Sequence, residues 1–393
     1  MIRPYQSNVL TSQFVFDAER RAQLCQQADQ LPSITLNSSS ASSAVMLGAG
    51  YFSPLDGFMS RADALCIADE MRTESGLFWP VPILNRIHDD VDFTGDRVSL
   101  RDSEIDGNPP LAIQTVESVD TLSDDELMHI ARCVFGTTDR EHPGVNTFLT
   151  QGNTVVSGPI EVLNFSYFES EFPNTFRTAS QIRTEIENRC WNKVVAFQTR
   201  NPMHRAHEEL CKIALERTSS DGVVIHMLLG KLKPGDIPAK VRDDAIRKMV
   251  ELYFPQNTVI ITGYGFDMLY AGPREAVLHA IFRQNLGASH MIVGRDHAGV
   301  GDYYGAFDAQ AIFHTDVPED ALDIEIFEAD HTAWSKKLNE VVMMRDVPDH
   351  QKSDFILLSG TRVREMLSAG ENLPEEFSRP EVAKILMDFY RHG

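Results

Sequence analysis

The stretch KVVAFQTRNPMHRAHEEL, Lys193 to Leu210, decides how this chain is read. Val194 to Phe197 form a short apolar run of the length and β-branched character of a buried strand. Pro202 sits just ahead of a first helical turn, where a missing N–H costs little. From His204 onward Ala206, Leu210, Ile213 and Ala214 share one stripe, while Glu208, Glu209, Lys212 and Glu216 fall elsewhere, which predicts an amphipathic helix. The stretch is a strand, a turn and a helix N-terminus. Between the two elements stand Gln198, Thr199, Arg200, Asn201, His204, Arg205 and His207, a set too polar for a core.

The same alternation continues on either side. KVVAF, VVIHMLLG, TVIITGY and HMIVG read as buried strands separated by helix-length amphipathic segments, the pattern of a parallel α/β sheet. Roughly the first 170 residues differ: LFWPVPILNRI, VDFTGDRVSL, LAIQTVESV and NTVVSGPIEVLN read as short strands broken by Pro, Gly, Asp and Asn clusters, hence a β-rich domain. After about 331 the helical patterns shorten. The expected organisation is a β-rich domain over 1–170, an α/β domain over 171–330 and a small C-terminal domain over 331–393. SSSASSA, 38–44, is expected to be a solvated turn or flexible joint.

The chain has 57 acidic and 36 basic residues, a formal net charge of −21, so at long range it repels nucleic acid and anionic membrane. An anionic ligand must be drawn in by a local site. With no signal-peptide core at the N-terminus and no run of 18 apolar residues, a soluble cytoplasmic enzyme is expected. The five cysteines contain no CxxC pair, which fits reduced thiols better than a disulfide frame or a zinc ribbon.

Ligands of open α/β sheets bind beyond the carboxyl ends of the strands, where a helix N-terminus offers unpaired N–H groups and partial positive charge; phosphate is the natural occupant. His204 and His207 are three residues apart and so share a helix face near its first turn. A second polar cluster, GRDHAGVG (Gly294 to Gly301), follows the strand HMIVG; its glycines admit close backbone approach, Arg295 and His297 are donors, and Asp296 either orients the arginine or binds a nucleotide. Two donor clusters at two strand ends imply one shared cleft. A lone histidine is usually a core or surface residue, but here the company it keeps argues otherwise. Metal binding by the pair lacks a supporting carboxylate or Cys pattern. GKLKPGD lacks Walker A spacing, and neither LGAGYF nor GYGFDM completes GxGxxG, so a bound nucleotide would be held by His and backbone donors.

At QTRNPMHRAHEEL and YAGPREAVLHAIFRQNLGASHMIVGRDHAG, with LGAGYFSPLDGFM, FGTTDREHPGV and SGTRVREMLSAGENLPEEFSRPEV, the chain closely resembles the ATP sulfurylases (sulfate adenylyltransferases) over almost its whole length. The resemblance implies a PUA-like N-terminal domain, a Rossmann-like nucleotidyltransferase domain and a small C-terminal α/β domain. It implies that ATP and sulfate give adenosine 5'-phosphosulfate and pyrophosphate, reversibly, with Mg²⁺ accompanying the nucleotide, in a homodimer. Gln198, Thr199, Arg200 and Asn201 would serve sulfate and ATP, with Arg200 the main sulfate ligand and Ala298 a backbone sulfate contact. His204 and His207 would stabilise the transition state on the phosphates. Gly294, Arg295, Asp296 and His297 would form the second ATP-binding segment.

Lys231 and Lys233 could approach the leaving pyrophosphate, though turn lysines are more often solvated, and Met343 and Met344 could line the adenine or simply pack. SGTRVR could be an anion-facing helix start or a plain cap. Residues 331–350 contain no cysteine, so the structural zinc of some relatives is not expected, nor is a fused kinase domain. Two other readings are an adenylyltransferase with a different acceptor and, through the PUA-like part, an RNA-binding module; the acidic charge opposes the latter.

Overall fold

In the computed structural model, which describes every residue except 89–94, 233–235, 359 and 393, the middle apolar runs pair into a five-stranded sheet. Its strands are β1 (Val194–Thr199), β2 (Gly222–Leu228), β3 (Val259–Tyr264), β4 (His290–Val293) and β5 (Glu325–Glu328). All neighbours are parallel, in the order β3-β2-β1-β4-β5. Every residue of β2 and β4 is buried, because helices cover both faces and alternation is then unnecessary. The chain winds outward from β1 to β3 and returns on the other side of β1. Connections therefore diverge at the β1/β4 pair, and that divergence opens a crevice beyond their carboxyl ends.

The crossover helices are α1 (Arg205–Thr218), α2 (Ala239–Tyr253) and α3 (Gly272–Asn285). On α1, Leu210 and Ala214 are buried as the stripe requires, but Glu208, expected off that stripe, is only 1 % exposed. Lys212 Nζ donates to it at 2.6 Å and Arg379 Nη2 at 2.8 Å, so a C-terminal arginine that no local pattern reveals makes its burial tolerable. Burial alone would push its carboxyl pKa up; the hydrogen bonds and charges of Arg379 and Lys212 outweigh it and hold the group ionised. Helix α3 carries Arg274, Glu275, His279, Arg283, Gln284 and Asn285 yet is buried nearly throughout, because the first domain packs over it. Asn285 Nδ2 donates to the carbonyls of Tyr51 and Ser53, and Arg274 donates to those of Ile67 and Ala68 at the end of the helix Arg61–Glu70.

Among the described residues the first part of the chain holds a seven-stranded sheet, with Thr154–Val162 pairing four of the other strands, and also the helices Ala18–Ala28, Ser38–Gly48, Arg61–Glu70, Asp124–Phe135 and Pro143–Leu149, which the turn-rich pattern concealed. Two expectations are corrected. LFWPVPILNRI contributes only Arg86–Ile87 to the sheet, since Pro80 and Pro82 bring no N–H to a ladder. SSSASSA is not a solvated joint: it lies in the helix Ser38–Gly48, capped by Asn37, whose side chain accepts from Ser40 N–H, and Ser40 to Gly48 are all buried. The small side chains permit this close approach; a Cβ on Gly48 would stand 2.7 Å from Val162 Cγ1. Of VDFTGDRVSL, residues 91–94 lie outside the described residues and Arg97–Asp102 is a strand.

After β5 an antiparallel three-stranded sheet (Thr332–Ser335, Glu340–Met343, Phe355–Ile356) and the helices Gly360–Ser368 and Pro380–His392 complete the chain. One apolar cluster runs through all of these parts, from Tyr5 to Met387.

Candidate active site

The carboxyl end of β1 carries Gln198 and Thr199 straight into the turn. Thr199 Oγ1 donates to the Asn201 carbonyl at 2.7 Å and accepts from Asn201 N–H at 3.1 Å, so this hydroxyl closes the turn on itself. Arg200 Nη2 donates to the Gly299 carbonyl at 3.0 Å, and its guanidinium lies 5.0 Å from the Tyr270 ring centre, which aims the side chain across to the β4 turn. His204 caps α1 with its ring stacked on Phe377 and 4.0 Å, centre to centre, from His207. His207 Nδ1 accepts the His204 backbone N–H at 3.4 Å, so a neutral His207 carries its proton on Nε2.

Beyond β4 no helix begins until Asp308, so the helix N-terminus argument applies to the first cluster and not to the second. The second is a tight turn in which Asp296 and Ala298 hold φ of 55° and 57°, the left-handed region that few non-glycine residues adopt. It is pinned by Asp296 N–H to the Ala306 carbonyl and by Gly272 N–H to the Ala298 carbonyl. Arg295 pairs with Asp296 at 3.1 Å, both exposed, and His297 Nε2 lies 3.1 Å from His279 Nδ1 on α3.

The two turns face one cavity of about 340 Å³, which Gln198 to Asn201, His204, His207 and Gly294 to Ala298 all line; every sequence-derived site residue is gathered there. An adjoining cavity of about 260 Å³ shares Arg200, Asp296 and His297. Among the described residues, three buried polar atoms of the lining have no partner: Gln198 Oε1, Arg200 Nη1 and His204 Nδ1. Buried polar atoms left unpaired cost about 1–3 kcal/mol each, so a set of them around one space marks groups awaiting a ligand. Gly294 agrees, since a Cβ there would meet nothing within 4 Å: packing does not require a glycine, but the cavity gains the room.

Burial pushes the His204 imidazole well below its ordinary pKa and that of His207 down to about 4, with neighbouring imidazoles adding to the effect. Burial also lowers His297 well below the usual range, assisted by His279, Arg283 and Arg200. The cavity therefore presents neutral imidazoles and a single inner guanidinium.

Sequence reasoning missed the roof. Asp330, His331, Trp334, Leu357, Glu376 and Phe377 come from the C-terminal part and line the same cavity. Arg205 N–H donates to the Phe377 carbonyl, and its guanidinium lies 4.4 Å from the Trp334 ring centre. Lys231 is elsewhere, paired with Glu104 at 2.7 Å, and Lys233 lies outside the described residues. Met343 is core, and Met344 does not line the cavity. The cap question at SGTRVR falls on Ser359, outside the described residues. All five cysteines are free thiols. Among the described residues the one cluster with three metal-ligand types, Asp69, His129 and Cys133, is remote from the cavity, and its exposed His129–Asp69 hydrogen bond at 2.6 Å accounts for it as a surface pair. No helix among them is long and apolar enough to cross a membrane.

Residues 173–389 match the domain family described as ATP-sulfurylase, and residues 2–165 match a PUA-like domain. Curated proteins named sulfate adenylyltransferase are similar over the full chain: one from Allochromatium vinosum at 64 % identity, covering 100 % of this chain and 99 % of its own, and one from Alcanivorax borkumensis at 62 %, covering 100 % and 98 %. A solved structure titled hexameric APS kinase from Thiobacillus denitrificans shares the fold, with a TM-score of 0.73 at 24 % identity, over 99 % of this chain and 68 % of that one.

Proposed function

Because this chain belongs to the ATP-sulfurylase family, we propose that the cavity beyond β1 and β4 is where it carries out the family's reaction, with the residues of the two turns in distinct roles. The chain is a nucleotidyltransferase that moves the adenylyl group of ATP to inorganic sulfate, giving adenosine 5'-phosphosulfate and pyrophosphate.

Sulfate is already a dianion at neutral pH, so the site needs no general base. It needs to hold a dianion against a polyanion and to stabilise charge as the α-phosphorus becomes five-coordinate. Arg200 is the sulfate ligand: it is fastened at Nη2 to Gly299, and its Nη1 is buried with no partner among the described residues. The Ala298 backbone N–H completes that subsite. His204 and His207, at the start of α1, take the phosphates with the helix N-terminus behind them. Gln198, Asn201 and Gly294 to His297 hold the nucleotide, and Thr199 keeps the first turn closed. A bound polyphosphate favours the charged form of nearby imidazoles, so the histidines bind as neutral donors and gain positive charge as negative charge builds.

Mg²⁺ arrives with ATP as part of the substrate. Of the carboxylates lining the cavity, Asp296 is paired with Arg295, which leaves Asp330 and Glu376 as oxygen ligands suited to a cation that keeps most of its water and phosphate ligands. The observation that carries the assignment is the set of unpartnered buried atoms on Gln198, Arg200 and His204 around one space. The test is the initial rate of pyrophosphate release from MgATP, which should depend on sulfate; an organic acceptor outperforming sulfate would favour the other-acceptor reading. The family resemblance also supports a cytoplasmic homodimer, and the absence of cysteine from residues 331–350 argues against structural zinc; light scattering and metal analysis of the purified chain test the dimer and the zinc, and a monomer, a hexamer or bound stoichiometric zinc would count against them.

A further inference from the structure

Behind the β4 turn lies a line of buried groups that none of the roles above uses. His279 and Glu275, one turn apart on α3, are both 0 % exposed and line neither cavity. His279 Nδ1 lies 3.1 Å from His297 Nε2, and its other nitrogen has Glu275 Oε1, at 3.5 Å, as its polar neighbour and no formed hydrogen bond. Glu275 in turn accepts the backbone N–H groups of Leu269 and Ala271 at 3.1 and 3.0 Å. His297, the end of the line that lines the cavity, makes no hydrogen bond at Nδ1 among the described residues.

We propose that Glu275 and His279 are positioning residues that form a buried proton relay and set whether His297 offers its Nδ1 to the bound nucleotide as a lone pair or as an N–H. Two arrangements of the line become complete once His279 Nε2 closes the 3.5 Å gap to Glu275. With Glu275 ionised, His279 directs Nε2–H at the carboxylate, its Nδ1 accepts His297 Nε2–H, and His297 Nδ1 is a lone pair. One added proton reverses every link: it enters at His297 Nδ1, the Nε2 proton of His297 passes to His279 Nδ1, and the Nε2 proton of His279 passes to Glu275. No bond other than N–H and O–H changes, and both imidazoles end neutral.

The surroundings favour this over charging a histidine. Burial above all, and then Arg200 and the fully buried Arg283, which has no carboxylate partner among the described residues, disfavour an imidazolium at His279 or His297. Glu275 faces Arg200 and His279 and lies within electrostatic reach of His142, Tyr264 and Tyr304. Burial raises its carboxyl to about 7, against the opposing pull of the loop N–H groups and Arg200, so the added proton is within reach at neutral pH. An anionic ligand oxygen at His297 Nδ1 selects the N–H form, and binding draws the proton in.

The inference rests on the reading that the cavity binds ATP, and one titration separates the two. ATP binding to the full chain with Mg²⁺ is measured by calorimetry from pH 6 to 8.5, in buffers of different ionisation enthalpy. Wild type should lose affinity by up to about tenfold per pH unit above neutrality, with net proton uptake. Glu275→Gln, whose amide donates to His279 permanently, should bind with a flatter pH slope and less uptake, and His279→Phe should flatten it too while weakening binding. No ATP binding by wild type overturns the functional reading and the relay together. Binding with the same slope and uptake in the variants overturns the relay alone. Should a variant fail to fold, ring ¹⁵N NMR of wild type decides: Nδ1 of His297 must pass from lone pair to N–H as pH falls from 8.5 to 6, and an unchanged tautomer refutes the proposal.

Discussion

Arg200 offers the sharpest test of the site. Arg200→Ala removes the hydrogen bond to the Gly299 carbonyl, the stacking on Tyr270 and the unpartnered Nη1 together. For the folded protein these nearly offset: one hydrogen bond to a charged group contributes about 1.5–3 kcal/mol and a partly desolvated cation–π contact about 1 kcal/mol, while a buried donor left unsatisfied costs about 1–3 kcal/mol. The melting temperature should therefore shift by only a few degrees. Catalysis has no such offset, because sulfate loses its inner cation. Losing one donor to developing charge lowers the rate by about 10²–10³, or about 2.7–4 kcal/mol, so sulfate-dependent pyrophosphate release should fall by at least that factor. Arg200→Lys keeps a charge but cannot reach Gly299 and the ligand at once, and should recover no more than a small part of the loss. Near wild-type turnover in Arg200→Ala, with a normal melting curve, would refute the assignment; so would a loss explained entirely by unfolding.

Other outcomes follow from the same geometry. His204→Ala should lower turnover by about 10²-fold with a smaller change in folding, read from steady-state rates beside a melting curve. Gly294→Ala places a methyl in empty space, so the protein should melt as wild type while the KM for ATP rises several-fold; a clear loss of stability would show that packing, not the cavity, selects glycine. Arg379→Ala leaves buried Glu208 with Lys212 alone and should destabilise by about 2–4 kcal/mol in chemical denaturation, with Glu208→Gln partly restoring the double variant. His207 titrates near 4 when folded and near 6.5 when unfolded, so the unfolded state binds more protons between these values. Stability should thus decline as pH falls from 6.5 towards 4, by at most on the order of 3 kcal/mol from this residue, and His207→Asn should blunt the decline in pH-dependent melts.

What could be read from the amino-acid order was local. Val194 to Phe197 followed by a polar turn and the α1 stripe gave strand, turn and helix, and the polar crowding at Gln198 to His207 and Gly294 to Ala298 marked both halves of the cavity. What escaped was non-local. Glu208 looks like a solvent-facing residue until Arg379 arrives from 171 residues away, and Trp334 and Phe377 look like ordinary core until the last sheet folds over α1. SSSASSA misled for another reason: serine signals a turn by its habit of bonding nearby backbone, yet its small size suits it equally to a helix pressed against a sheet. The polar face of α3 gave no hint of burial, because its partners are carbonyls of the first domain, which have no sequence signature.

The bond from Arg200 to Gly299 spans 99 residues, and the one from Arg205 to Glu375 spans 170. A chain still emerging from the ribosome thus possesses the first turn long before it possesses the second, and it acquires a roof only with its last few dozen residues. Until Trp334 and Phe377 have been made, the space beyond β1 and β4 has nothing to enclose it on that side.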